Sequence, residues 1–231
     1  MKLCTEEHVM DLLLEETPLD LDQHIVAVNS NPNSTWVAGT NAKFEGASKK
    51  EVKAMLGAIV DPEWAINLHP KDTHLTSADL PENFDARTNW PECNSVINHV
   101  RDQSNCGSCW AHGTTEALND RKCIASGGSF TTLLSTADTT GCCNFAKCFS
   151  QGCNGGQVGT PWNWFMAEGV VTGGDYGDTS LCYAYTFEEC AHHVESETLP
   201  SCDDAKGSAP TCPSKCPSNT SINWSDDRHT A

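Results

Sequence analysis

Cysteine constrains this chain more than any other residue type: 14 are present, and thirteen of them crowd between Cys93 and Cys216. Such a density belongs to an oxidising compartment and makes cross-linking part of the fold. Spacing alone leaves the pairing open. A zinc site drawn from Cys142, Cys143, Cys148 and Cys153 is disfavoured because the spacing is no knuckle repeat, so no metal and no cofactor is expected. The charge agrees with a secretory chain in what it excludes. Against 14 Lys and Arg stand 31 Asp and Glu, a formal net charge of -17, which argues against nucleic acid or anionic membrane as partner. No apolar run approaches the roughly 18 residues of a membrane span. Sequons begin at Asn33, Asn219 and Asn223, as exported proteins often carry. The segment after Met1 brings Glu6, Glu7 and Asp11 and no apolar core of a signal peptide, so the reading expects a true N-terminus further upstream.

Chemistry concentrates in Gln103-Ser104-Asn105-Cys106-Gly107-Ser108-Cys109-Trp110. The stretch predicts a turn running into a helix, with Ser108 as N-cap and Trp110, Ala111, Ala117 and Leu118 on one apolar face. A cysteine in the first turn of a helix sits where backbone N–H groups and the macrodipole favour negative charge, which draws out the thiolate. Cys109 is therefore the candidate nucleophile. Gln103 can aim its side-chain amide at the spot faced by the Cys109 N–H, and two converging donors suit the oxyanion of acyl transfer. Gly107 would let a substrate backbone approach.

Residues 1–79 have another texture. Glu6 to Glu16 reads as a short amphipathic helix. A second helix opens on Ser48 and Glu51 as a capping box, with Val52, Met55, Leu56, Ile59 and Val60 at helical spacing. Pro62 and Pro70 then break regular structure, and Thr73–Asp79 looks like a linker. Further on, Ser135 can cap a short helix. Thr160-Pro161 starts another as N-cap and first residue, and Gly169 ends it.

Cys106-Gly107-Ser108-Cys109-Trp110 is the signature around the nucleophile of papain and the cathepsins. Leu80-Pro81-Glu82-Asn83-Phe84-Asp85-Ala86-Arg87 resembles the mature start of cathepsin B-type cysteine peptidases, and Asn33-Ser34-Thr35-Trp36-Val37-Ala38-Gly39 is similar to the segment that docks their propeptide. The resemblance runs from about Asn29 to about His229. It implies an α+β, papain-like fold, here mainly the helical left domain with disulfide-rich loops and without most of the β-rich right domain. Residues 1–79 would be a propeptide-like segment lying along the cleft and blocking it. Residues 80–231 would be the N-terminal part of the peptidase domain, with an occluding loop at 190–202.

The same resemblance implies the disulfides Cys93–Cys123, Cys106–Cys153, Cys142–Cys212, Cys143–Cys148, Cys182–Cys216 and Cys190–Cys202, which leave Cys109 and Cys4 unpaired. It places Gly107, Trp110, Gly155, Gly156, His192 and His193 among the substrate-binding residues, the glycine pair forming a cleft wall where an extended substrate adds as a strand. The two histidines would hold a substrate's C-terminal carboxylate, with Asp102 clasping His192. The family's second clasp, an arginine late in the loop, is replaced by Glu197-Thr198-Leu199. The implied partners are peptide and protein substrates and cystatin-like inhibitors, the location lysosomal or extracellular, and the complete protein a monomer.

One part of the pattern is missing. A cysteine peptidase needs a base and a group to orient it. In this family a His and an Asn follow the nucleophile by ~130–150 residues, more than remain after Cys109. The expectation is an incomplete chain, inactive or barely active by itself. The alternative is a catalytically dead homologue that binds peptides or inhibitors. His112, where the family usually carries Phe, is three residues from Cys109; it reads as a packing substitute, with a local base as the other option. His192, His193 and His229 lie on a loop or terminus without a fixed orientation.

Overall fold

The structure, a computed structural model, describes residues 20–41, 44–50, 52, 56–59, 80–192 and 195–231. Two compact units are distinguished, 1–56 and 57–231. The expected helix at Glu6–Glu16 and the linker at Thr73–Asp79 lie outside the described residues.

In the first unit, helix α1 spans Asp22–Asn29. The side chain of Asn29 bonds twice to Ala38, donating to its carbonyl at 3.0 Å and accepting from its N–H at 2.8 Å. This pair closes the turn through 33–37, where Trp36 and Val37 stay exposed. Helical turns occur at 49–50 and at 52, but the helix does not continue to Ile59 as its apolar spacing predicts. Gly57 carries a high helix cost, and Ala58–Ile59 instead form a strand, β1. The compact second unit thus begins at Gly57, well before the change of texture at Leu80.

Within that second unit the chain runs through two short helices, α2 (Ala86–Asn89) and α3 (Asn94–Ile97), into the long helix α4 (Cys109–Ala125). Helices α5 (Thr136–Cys142) and α6 (Phe145–Cys148) follow. After them come strand β2 (Gly156–Gln157) and helix α7 (Thr160–Ala167). Ser135 caps α5 by accepting from Asp138 N–H at 2.9 Å. Helix α7 has Gly159 rather than Thr160 at its N-cap, because the Thr160 hydroxyl is turned away to Cys148 O at 2.6 Å. Gly169 adopts φ +70° just past its end, the left-handed conformation glycine adopts without steric cost.

Helix α4 is the axis of the core. Trp110, Ala111 and Leu118 face Leu134, Trp164, Phe165 and Val170. Two of its buried polar residues tie it to neighbours. Thr115 meets Thr139 of α5 at 2.7 Å, and the Asn119 side chain bonds Leu134 N and Thr132 O. Six disulfides pin the surrounding loops: Cys93–Cys123, Cys106–Cys153, Cys142–Cys212, Cys143–Cys148, Cys182–Cys216 and Cys190–Cys202. Little sheet is present among the described residues; β1 and β2 form a two-stranded parallel pair with Ala58 opposite Gly156 and Ile59 opposite Gln157. No helix among them is long and apolar enough to cross a membrane.

Candidate active site

Cys109 opens α4, and it is the free cysteine among the described residues, with an exposed side chain. Its position leaves its backbone N–H among the donors that a helix start cannot satisfy internally. Ser108 occupies the N-cap, yet its hydroxyl caps nothing. It is drawn sideways to Tyr185 Oη at 2.9 Å and lies 3.3 Å from His112 Nδ1. The carbonyl of Ser108 takes over part of the work by accepting from the N–H groups of Ala111 and His112.

The loop before the helix is cross-braced. Cys106 is bonded to Cys153, and Gly107 N–H donates to Cys153 O at 2.9 Å. Gln103 donates its side-chain amide to Cys106 O at 2.9 Å, and its own carbonyl accepts from Tyr185 Oη at 2.9 Å. A carboxamide nitrogen carries two hydrogens, so one N–H of Gln103 is held by Cys106 O and a second remains to donate.

Gly155 and Gly156 line the opposite side and already carry an extended segment. Gly156 N–H donates to Gly57 O at 2.9 Å, and β1 continues the pairing. The two glycines are required for different reasons. Gly155 has φ +101°, and a Cβ there would stand 3.1 Å from Gly57 O. A Cβ on Gly156 would instead drive to 2.5 Å from Trp110 Cδ2 and 2.6 Å from Ser150 Oγ. Trp110, expected among the substrate-binding residues, is a floor beneath this wall. It is 1% exposed, and its indole N–H is fixed to Gly152 O at 3.0 Å.

Asp102 and the loop at 190–202 form a second cluster. His192 Nε2 lies 2.7 Å from Asp102 Oδ1, while Ser104 N–H and Cys190 N–H reach the same carboxylate. Burial pushes the Asp102 carboxyl up, but the His192 bond and these N–H groups together hold it below the usual range. The loop is closed by Cys190–Cys202 and by Ala191 N–H donating to Pro200 O at 2.8 Å. His193 lies outside the described residues.

Four imidazoles of this unit have defined surroundings, although Nε2 of His99, His112 and His229 makes no hydrogen bond. His112 Nδ1 turns to Ser108, and its Nε2 is buried without a hydrogen-bond partner, so no bond links it to the Cys109 sulfur. His192 faces Asp102, and His99 faces Asp175 at 2.9 Å. His229 is held by a two-way backbone bridge to Val170 and a ring contact with Phe130. Loop and terminus therefore do orient His192 and His229, contrary to expectation, but toward partners other than the thiol. Sequence reasoning missed Tyr185, which bonds to both Ser108 and Gln103; no motif marks a tyrosine 76 positions from the nucleophile.

Residues 80–226 match the profile of the papain family cysteine proteases. The chain is 36% identical over 210 residues to a cathepsin B-like cysteine proteinase of Schistosoma japonicum, covering 90% of this chain and 59% of that one. To cathepsin B-like cysteine proteinase 6 of Caenorhabditis elegans it is 37% identical over 220 residues, covering 93% and 56%. Among solved structures it resembles procathepsin B S9 from Trypanosoma congolense, with a TM-score of 0.59 and 26% identity over 90% of this chain and 62% of the other. In each case the chain covers well short of the relative's whole length. A fold built on a cysteine-headed helix, cross-braced by disulfides and matched over residues 80–226, makes this chain a member of the papain family of cysteine proteases.

Proposed function

We propose that this chain carries the nucleophile and oxyanion half of a cathepsin B-like cysteine peptidase, in a form where its own residues 57–59 lie along the cleft wall. The single observation that supports this most is the free, exposed thiol of Cys109 at a helix start, opposite a backbone wall that already pairs with an extended segment. On this reading Cys109 attacks the scissile carbonyl, Gln103 and the Cys109 N–H receive the oxyanion, and Gly155 and Gly156 pair with the substrate. Gly107 leaves room for it. His192 and His193 take a C-terminal carboxylate, and Asp102 holds His192. The base and its orienting group come from outside these residues, since His192 faces Asp102 and the rings of His99, His112 and His229 make no hydrogen bond to the thiol. The chain alone is accordingly inactive or barely active toward its peptide and protein substrates. Cystatin-like inhibitors would contest the same wall. Six disulfides fit a lysosomal or extracellular location.

The test is the rate at which iodoacetamide labels Cys109 near pH 6, compared with the same chain unfolded. Faster labelling of the folded chain, abolished in Cys109→Ser, is expected of a nucleophile set at a helix start. Equal or slower labelling overturns the reading.

A second reading, a catalytically dead binder of peptides or inhibitors, is favoured by the lack of a ring hydrogen bond from His99, His112 or His229 to Cys109. It expects an extended peptide to displace residues 57–59 and pair with Gly156 while Cys109 reacts no faster than an ordinary thiol.

A further inference from the structure

His112 is 7% exposed, and nothing in the proposed chemistry uses it. Its surroundings fix its protonation pattern. Tyr185 Oη donates to Gln103 O at 2.9 Å. A phenol has one proton, so in its 2.9 Å contact with Ser108 Oγ the serine must be the donor. The proton of Ser108 is thereby committed, and Ser108 cannot also donate to His112 Nδ1. Nδ1 must then carry the hydrogen, which it directs at Ser108 O, 3.1 Å away, and at Ser108 Oγ, 3.3 Å away. His112 Nε2 is left as a buried lone pair with no hydrogen-bond partner.

Hydrogen bonds therefore run one way: His112 to Ser108, Ser108 to Tyr185, Tyr185 to the carbonyl of Gln103. The Tyr185 ring also packs edge-on against the imidazole, with centroids 4.8 Å apart. Gln103 is thus anchored at its main chain by this relay and at its side chain by Cys106 O. We propose that His112 is a positioning residue for the Cys109 site, a neutral imidazole that fixes the Ser108–Tyr185–Gln103 chain and so aims the Gln103 amide. This rests on the peptidase reading above, in which that amide receives the oxyanion. Neutrality follows from the setting. Burial is the main cause holding the imidazole down to about 4; the bond to the Ser108 carbonyl opposes it, Arg101 adds to it, and Asp102 and Asp175 pull weakly the other way.

Phenylalanine at this position fills the same volume but offers Ser108 no donor. The expected consequence is a looser oxyanion donor with an undisturbed thiol, and two reagents separate these. Iodoacetamide reports the thiol alone. N-acetylglycinal reports thiol and oxyanion together. Cys109 Sγ bonds to its carbonyl carbon, the carbonyl π electrons move to oxygen, and that oxygen takes up the thiol proton as it faces Gln103.

With the full chain, His112→Phe is expected to weaken N-acetylglycinal binding by about fivefold to tenfold, the scale of one modest hydrogen bond, while alkylation stays within about twofold. His112→Asn, whose side-chain N–H can stand where Nδ1–H stood, is expected to recover most of the loss. Tyr185→Phe cuts the same relay one link further on, and it should show the same selective loss even if His112→Phe fails to fold. Unchanged aldehyde binding in folded His112→Phe or Tyr185→Phe overturns the proposal. So does a parallel fall in alkylation, or an Asn variant no better than Phe. A wild-type chain that takes up no aldehyde overturns the peptidase reading itself, and the proposal with it.

Discussion

Gly57 passes so close to Cys109 that a Cβ on it would stand 2.7 Å from the sulfur and 2.6 Å from Gly107 O. The thiol nevertheless remains exposed. Gly57→Ala drives a methyl group into the Gly107 carbonyl and the Cys109 sulfur at that crossing, and an overpacked contact costs about 1–3 kcal/mol. The segment is expected to lift, raising the iodoacetamide labelling rate of Cys109 severalfold. An unchanged rate would mean that the segment does not limit access to the thiol.

The Asp102–His192 pair should respond to acid. Because the Asp102 carboxyl is held below its ordinary value of 3.8, its contribution is present above that value and is lost as pH falls through the lower folded-state one. Limited proteolysis within 190–202 is expected to accelerate in that acid window in the wild-type chain. Asp102→Asn should cleave at the faster rate already at neutral pH. The pair is partly exposed, so the effect corresponds to at most about 1 kcal/mol.

The lack of a second clasp would have a functional counterpart in the proposed peptidase. With Glu197-Thr198-Leu199 where a second clasp would stand, endopeptidase action should gain at the expense of dipeptide release. In the active protein, His192→Ala should raise the ratio of internally quenched peptide cleavage to dipeptide release. A constant ratio would separate the loop from specificity.

Asp138 is fully buried and meets Arg228 at 2.6 Å, with Val171 N–H at 3.0 Å on the same oxygen. Burial outweighs the arginine and pushes the carboxyl up to about 6. Its contribution to stability is thus full below the ordinary carboxylate value and declines as pH rises through the folded-state one. Arg228→Met leaves the carboxylate uncompensated and is expected to cost about 3–5 kcal/mol near neutrality. The loss should shrink near pH 5, where the carboxyl takes up a proton. Urea denaturation at the two pH values checks this; an equal loss at both would mean that the charge is not what Arg228 compensates.

Cys93–Cys123 closes a separation of 30 residues beside Val96 in a small cluster of its own. Replacing both cysteines by alanine should cost about 3–4 kcal/mol, chiefly by freeing the unfolded chain. The same denaturation measurement would read it as a lower midpoint.

Local features were the legible ones. Ser135 as a cap, Gly169 as a helix stop and the helix beginning at Cys109 each rest on a few neighbouring residues, and each forms as its sequence predicts. Failures came where a distant partner outbid local preference. Ser108 looks like a capping serine, but Tyr185 and His112 take its hydroxyl. Thr160 looks like a cap, but Cys148 O takes its hydroxyl. Ile59 fits a helical stripe, yet its backbone pairs with Gln157.

Sequence by itself determined the chemistry available here: one cysteine at a helix start, an amide six positions before it and a glycine pair beyond. These depend on residue type and short spacing, which a chain carries before it folds. Only the tertiary structure decided which hydroxyl Tyr185 would claim, which way the His112 proton points and what lies across the cleft wall. Those outcomes depend on groups tens of residues apart, and only packing brings such groups within a hydrogen bond of each other.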